Sequence, residues 1–155
     1  MGEIAILLYI LVGIVIGVNA IFQTMQAGNH SPEIAHMFFG FAAAMWLFSL
    51  NYFLIAAHIL LKSDNWKVFG LYSLFASIVS LIFMADTVYA AFIGLAPLWE
   101  MVYMWGMWSI LWIQSFLAIF LGIKAVDKFS PHILIINGVA STFVPGALIL
   151  LGIIL

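Results

Sequence analysis

The stretch Ile4-Ala-Ile-Leu-Leu-Tyr-Ile-Leu-Val-Gly-Ile-Val-Ile-Gly-Val-Asn-Ala-Ile-Phe-Gln23 contains no charged residue. At about 1.5 Å per residue, roughly twenty helical residues cross the hydrocarbon core of a bilayer. A run this long and this uniformly apolar reads as a membrane span. Met1-Gly2-Glu3 in front of it lacks the basic region that opens a signal peptide, so the span is expected to be retained.

The same pattern repeats outward. After the polar loop from Gln26 to Glu33, Ser31-Pro32-Glu33 signals a helix start, with a capping hydroxyl and a proline in the first turn. The segment that follows, to about Leu61, would be roughly 40 Å long as a helix. It is too short for two spans, each of which needs about 20 residues. Further apolar segments follow, separated by Gly94-Leu-Ala-Pro97 and by Lys124-Ala-Val-Asp-Lys-Phe-Ser-Pro131. The expected architecture is all-α. It is a single transmembrane domain over residues 1–155, with five spans at about 4–23, 33–61, 68–93, 99–123 and 132–155. Helices are required because backbone polar groups in lipid must bond within their own segment.

Composition agrees. Of 155 residues, 67% are hydrophobic and 6% charged, whereas roughly a quarter of a soluble domain is charged. The net charge of −2 and the lack of any basic run exclude a nucleic-acid partner. Without cysteine there can be no disulfide, thiolate metal site or iron–sulfur cluster. Lys62 and Lys67 flank the second loop, and Lys124 and Lys128 sit in the fourth. The positive-inside rule then places the N-terminus inside and the C-terminus outside, in a multi-pass protein of the cell membrane.

Several features could carry function. Gly13 and Gly17 form a GxxxG pattern suited to close helix contact. At 100° per residue, Met101, Trp105, Trp108, Trp112 and Phe116 fall within about 80° on one face of the fourth helix. The tryptophans reach the middle of the span, too deep for an interfacial belt. Either they pack helices together or they form a functional aromatic slot. On the fifth helix Asn137, Ser141 and Pro145 are spaced by four, a neutral polar stripe in an aliphatic span. Pro145 has no N–H, so the Ser141 carbonyl loses its helical partner. This stripe is either a satisfied kink or a lining for an uncharged solute. Asp86 is the one acid inside a span, either reaching water or lining a path. His36 and His58 lie about 33 Å apart along one helix and cannot share a metal. No HxxxH or ExxH pair, nucleophile–base arrangement or phosphate loop is present, so no cofactor, metal or catalytic residue is expected.

Trp105-Gly-Met-Trp108-Ser-Ile-Leu111-Trp112, Phe116, Lys128-Phe-Ser-Pro131 and Ile135-Ile-Asn-Gly138 through Phe143-Val-Pro145 resemble the last two helices of the AmiS/UreI family. These are amide transporters and acid-activated urea channels. The resemblance continues through Asn51-Tyr52, His58, Trp66 and Tyr72-Ser-Leu-Phe75. It implies a pore within each protomer, lined by aromatic residues that pass a planar neutral amide, and a homo-oligomer, hexameric in the urea channel. Carried over by position, Trp105, Trp108, Leu111 and Trp112 supply the inner slot. Phe116, Asn137, Ser141, Asn51 and Tyr52 complete the expected lining, with Asn137 where the acid-gated channel has an acidic residue. The family has six spans against the five read here.

The expected function is therefore a passive channel for urea or short-chain amides rather than an enzyme. The alternative is a non-catalytic subunit of a hetero-oligomeric membrane enzyme complex, using the same aromatic faces to pack its partners.

Overall fold

A computed structural model describes residues 2–94, 99–144, 147–148 and 151; the side chains of Gly2, Glu33, Glu100 and Thr142 are not described. The described residues contain helices and turns and no strand. Helix α1 runs Gly2–Ala27, α2 Pro32–Leu60, α3 Lys67–Phe92 and α4 Trp99–Ser115, continuing as a π-helical turn at Phe116–Phe120. Helix α5 runs Lys124–Gly138 and passes into a second π turn at Val139–Phe143. The first four are long and apolar enough to cross a membrane. The chain divides into two compact units, Met1–Phe69 and Gly70–Leu155.

In the first unit α1 and α2 pack antiparallel, and the two glycines of the GxxxG pattern mark the seam. A Cβ on Gly13 would stand 3.1 Å from the Phe53 ring, and one on Gly17 would stand 3.2 Å from Ser49 Oγ. The close approach lets Ser49 Oγ donate to the Gly13 carbonyl at 2.8 Å, a helix-to-helix bond in place of an unsatisfied hydroxyl. The outer face of α1 is largely apolar from Ile4 through Met25, with Asn19 exposed on it and donating to the Val15 carbonyl.

The end of α2 is shaped by Lys62, held in the left-handed region at φ 49°. The Ser63 N–H then reaches back to the His58 carbonyl at 3.0 Å, closing a Schellman-type cap. The His58 ring is buried beneath this turn. Its Nδ1 lies 2.9 Å from the Leu54 carbonyl and its Nε2 3.2 Å from the Asn65 carbonyl, while its face stacks on Trp66 at 4.8 Å. Asn65 Oδ1 in turn accepts the Lys67 N–H at 3.2 Å and caps the start of α3. His58 is thus turned to backbone and ring neighbours, whereas His36 is exposed on the same helix.

The fifth helix departs from the expected boundary. It begins at Lys124 rather than near 132, so the segment expected as a loop, Lys124 to Pro131, is helical. The stop signal is Gly122 instead, in the left-handed region at φ +68°, directly after the first π turn. Pro131 costs the helix the bond to the Asp127 carbonyl. It is tolerated because this part of α5 is exposed and charged, with Lys124, Asp127 and Lys128 along it. The fourth α-helix likewise gives way at Ser115, where π geometry replaces the expected α-helix to 123. The first helix extends four residues past Gln23.

Candidate functional site

The second unit brings most of the candidate residues together. Helices α3 and α4 run antiparallel, joined by three contacts in reverse order along the two chains. The Tyr72 and Trp112 rings meet edge to face at 6.0 Å, and those of Phe83 and Trp105 meet tilted at 5.0 Å. Between these pairs sit Ser77 and Ser109, both buried, with their hydroxyl oxygens 3.0 Å apart. Trp105 also meets Trp108 edge to face at 5.2 Å. Trp105 and Trp112 are 2% and 3% exposed, and Trp108 is half-buried. All three indoles therefore belong to the protein side of α4, as their shared face predicts.

Helix α5 closes on α4 through a chain of neutral hydrogen bonds. Asn137 Nδ2 donates to the Met107 carbonyl. Trp108 Nε1 donates to Ser141 Oγ at 3.1 Å, and the Ser141 hydroxyl faces both the Asn137 backbone carbonyl at 2.7 Å and its Oδ1 at 3.0 Å. Asn137 is 2% exposed and Ser141 fully buried. The polar stripe of the fifth helix thus ties two helices together and presents Trp108 at a fixed height. Pro145, the third member of the stripe, lies outside the described residues.

The remaining candidates fall elsewhere along the chain. Leu111 is half-buried on α4, next to this tie. Phe116 falls in the π turn and stacks on Phe120 at 5.3 Å. Asn51 and Tyr52 belong to the first unit, where Asn51 is buried and Tyr52 meets Tyr9 at 6.1 Å. Asp86 is half-buried on α3.

Several buried polar residues of the second unit escaped the sequence reading, among them Ser77, Ser80, Thr87, Ser109 and Gln114. Ser109 partners Ser77, and Gln114 donates from Nε2 to Ser130 Oγ near the start of α5. Ser77 and Ser109 are legible only once the two helices are docked, because a lone serine in an apolar span looks like any other. Gln114 had a signal, an amide among aliphatic, aromatic and small neighbours from Met101 to Phe120.

Several buried polar groups keep unused hydrogen-bonding capacity at depth, candidate residues among them. Trp105 Nε1 and Asn51 Oδ1 are buried and meet no hydrogen-bond partner among the described residues. No charged side chain takes part in the aromatic and amide contacts described above. The arrangement offers flat aromatic surfaces and neutral donors and acceptors, the chemistry of an uncharged planar solute rather than of an ion.

The model of the AmiS/UreI family transporters matches residues 2–153. The chain belongs to that family. The match extends from the C-terminal helices, where the tryptophan spacing is most specific, across nearly the whole chain. Comparison with curated proteins and with solved structures finds no match. As an AmiS/UreI transporter, and with four helices long and apolar enough to span, the chain is a multi-pass membrane protein with a channel or transporter role.

Proposed function

We propose that this AmiS/UreI protein is a passive channel for urea or short-chain amides in the cell membrane. The observation that carries the reading is the neutral aromatic cluster of Trp105, Trp108 and Trp112, held by Asn137 and Ser141 with no charge among them. An ion stripped of water would need compensating charges or a ring of carbonyls. An amide needs flat walls, a donor for its oxygen and acceptors for its N–H groups. The buried Trp105 N–H suits the oxygen of such a solute. Leu111 and Phe116 complete the proposed lining within the second unit, and the family resemblance supports a homo-oligomer, as a ring.

Purified protein in liposomes is expected to speed urea and acetamide equilibration over empty vesicles, and to leave sodium and chloride unchanged. Stopped-flow light scattering reads this directly. Amide flux equal to that of empty vesicles, at confirmed protein density and intact oligomer, overturns the channel reading and leaves the accessory-subunit role.

We also propose that the N-terminus faces inside, since Lys62 and Lys67 bracket the connection from α2 to α3, and Lys124 and Lys128 lie in the first turns of α5, just after the end of α4. The chain has no cysteine, so single cysteines at Asn29, Ser63 and Ser130 are clean reporters. An impermeant maleimide applied from outside should label Asn29→Cys and spare Ser63→Cys and Ser130→Cys. The opposite pattern reverses the orientation.

A further inference from the structure

We propose that Ser77 and Ser109 form the spacer that fixes the gap between α3 and α4, and thereby set the largest amide that passes the tryptophans. The inference rests on the channel reading above and assigns the pair a positioning role, without contact to the solute.

The geometry is reciprocal. Ser77 Oγ approaches the Ser109 carbonyl at 3.1 Å and the Ser109 hydroxyl at 3.0 Å, and Ser109 Oγ returns to the Ser77 carbonyl at 3.4 Å. A side-chain oxygen that reaches the opposite backbone is possible only where the helices are close, and small residues allow that approach. The pair lies between two aromatic contacts, Tyr72 with Trp112 on one side and Phe83 with Trp105 on the other. On α4, Ser109 is four residues from Trp105 and three from Trp112, so all three share the face toward α3.

Two indoles are therefore pinned from α3, and the serine pair sets how far α3 stands away. Because the bonds run both ways, they fix axial register as well as distance. A register slip of one turn would carry Phe83 past Trp105 and Tyr72 past Trp112 together. A bulkier residue at either serine pushes both aromatic pairs apart at once, whereas a change at one aromatic residue moves only its own contact.

Ser77→Val adds bulk and removes the hydroxyl. Ser77→Cys with Ser109→Cys offers the opposite control, because oxygens 3.0 Å apart place sulfurs where a disulfide forms with little movement. Liposome flux of propionamide relative to acetamide is expected to rise about tenfold in Ser77→Val, the discrimination that one methylene commands in an apolar pocket. The oxidised double-cysteine protein is expected to keep the wild-type ratio and rate. An unchanged ratio in folded Ser77→Val overturns the proposal. So does acetamide flux that disappears on oxidation and returns on reduction, since passage would then require α3 and α4 to part.

A second readout does not depend on conduction. Acrylamide is itself a three-carbon amide and quenches tryptophan. With Trp46, Trp66 and Trp99 changed to phenylalanine, its quenching of the remaining three indoles should rise in Ser77→Val over the oxidised double-cysteine protein. Should no amide permeate even the unsubstituted protein, the channel reading falls and this quenching alone decides the spacer. Equal quenching in the two variants overturns it.

Discussion

Gly70→Ala is expected to destabilise the second unit by about 3 kcal/mol, the upper range for forcing a methyl group into a packed seam. A Cβ at this position would stand 2.8 Å from both the Cβ and the backbone nitrogen of Phe120, and 3.1 Å from its Cα. Two of those three atoms are backbone, so no rotamer change relieves the clash. Phe120 also closes the π turn that ends α4, which leaves little room for the chain to retreat. Elsewhere in a helix, glycine to alanine gains roughly 1 kcal/mol of intrinsic propensity. Gly106→Ala is the matching control, because its new methyl would meet only Met84 Sδ at ordinary contact distance. Unfolding titrations in mixed micelles should separate the two substitutions in opposite directions. Equal midpoints for Gly70→Ala and the unsubstituted protein would show that α3 does not approach Phe120 this closely.

The second large effect is expected at Asn137. Asn137→Leu keeps the approximate volume but removes the bond to the Met107 carbonyl and the Oδ1 contact with Ser141. Ser141 retains the Asn137 backbone carbonyl and goes on accepting from Trp108, so the tie is weakened rather than abolished. Two neutral hydrogen bonds in a membrane protein are worth about 1–3 kcal/mol together. On the channel reading, acetamide flux should fall roughly tenfold, because Trp108 is held through Ser141 by the same network. Trp108→Ala should instead relax selectivity toward larger amides, with a smaller loss of acetamide rate. Flux and stability measured on one preparation distinguish a displaced indole from an unfolded protein. Unchanged flux in folded Asn137→Leu would remove Asn137 and its network from the path.

Most of the fold was written in the spacing of polar residues. The apolar runs between Gln26–Glu33 and Leu61–Trp66 have lengths that only helices across lipid satisfy, and α1 to α3 fall within a few residues of expectation. The tryptophan face was equally legible, since a 100° wheel holds while the helix stays α. Legibility ended where local chemistry pointed two ways. Lys128-Phe-Ser-Pro131 carries every mark of a loop, yet Gly122 had already made the turn and α5 absorbs the proline. Phe116 marks where the α wheel stops applying, because α geometry ends at Ser115 and the Phe116 ring stacks on Phe120 in the π turn. The amide and serine partners were beyond reach for another reason. Which carbonyl Asn137 meets, or which serine faces Ser109, depends on docking between helices far apart in the chain.

The two π turns carry a consequence for how this chain can vary in length. A π turn holds one residue more than the α-helical turn it replaces, as a single-residue insertion accommodated by a local bulge does. Removing one residue within Phe116–Phe120 or Val139–Phe143 would let the bulge relax to α geometry and leave the phase of the helix beyond nearly intact. The same deletion inside α3 has no bulge to absorb it. It would swing every later side chain by about 100°, taking Phe83 off Trp105. Relatives of different length are thus expected to differ by single-residue gaps at these two places, with the tryptophan spacing ahead of them unbroken.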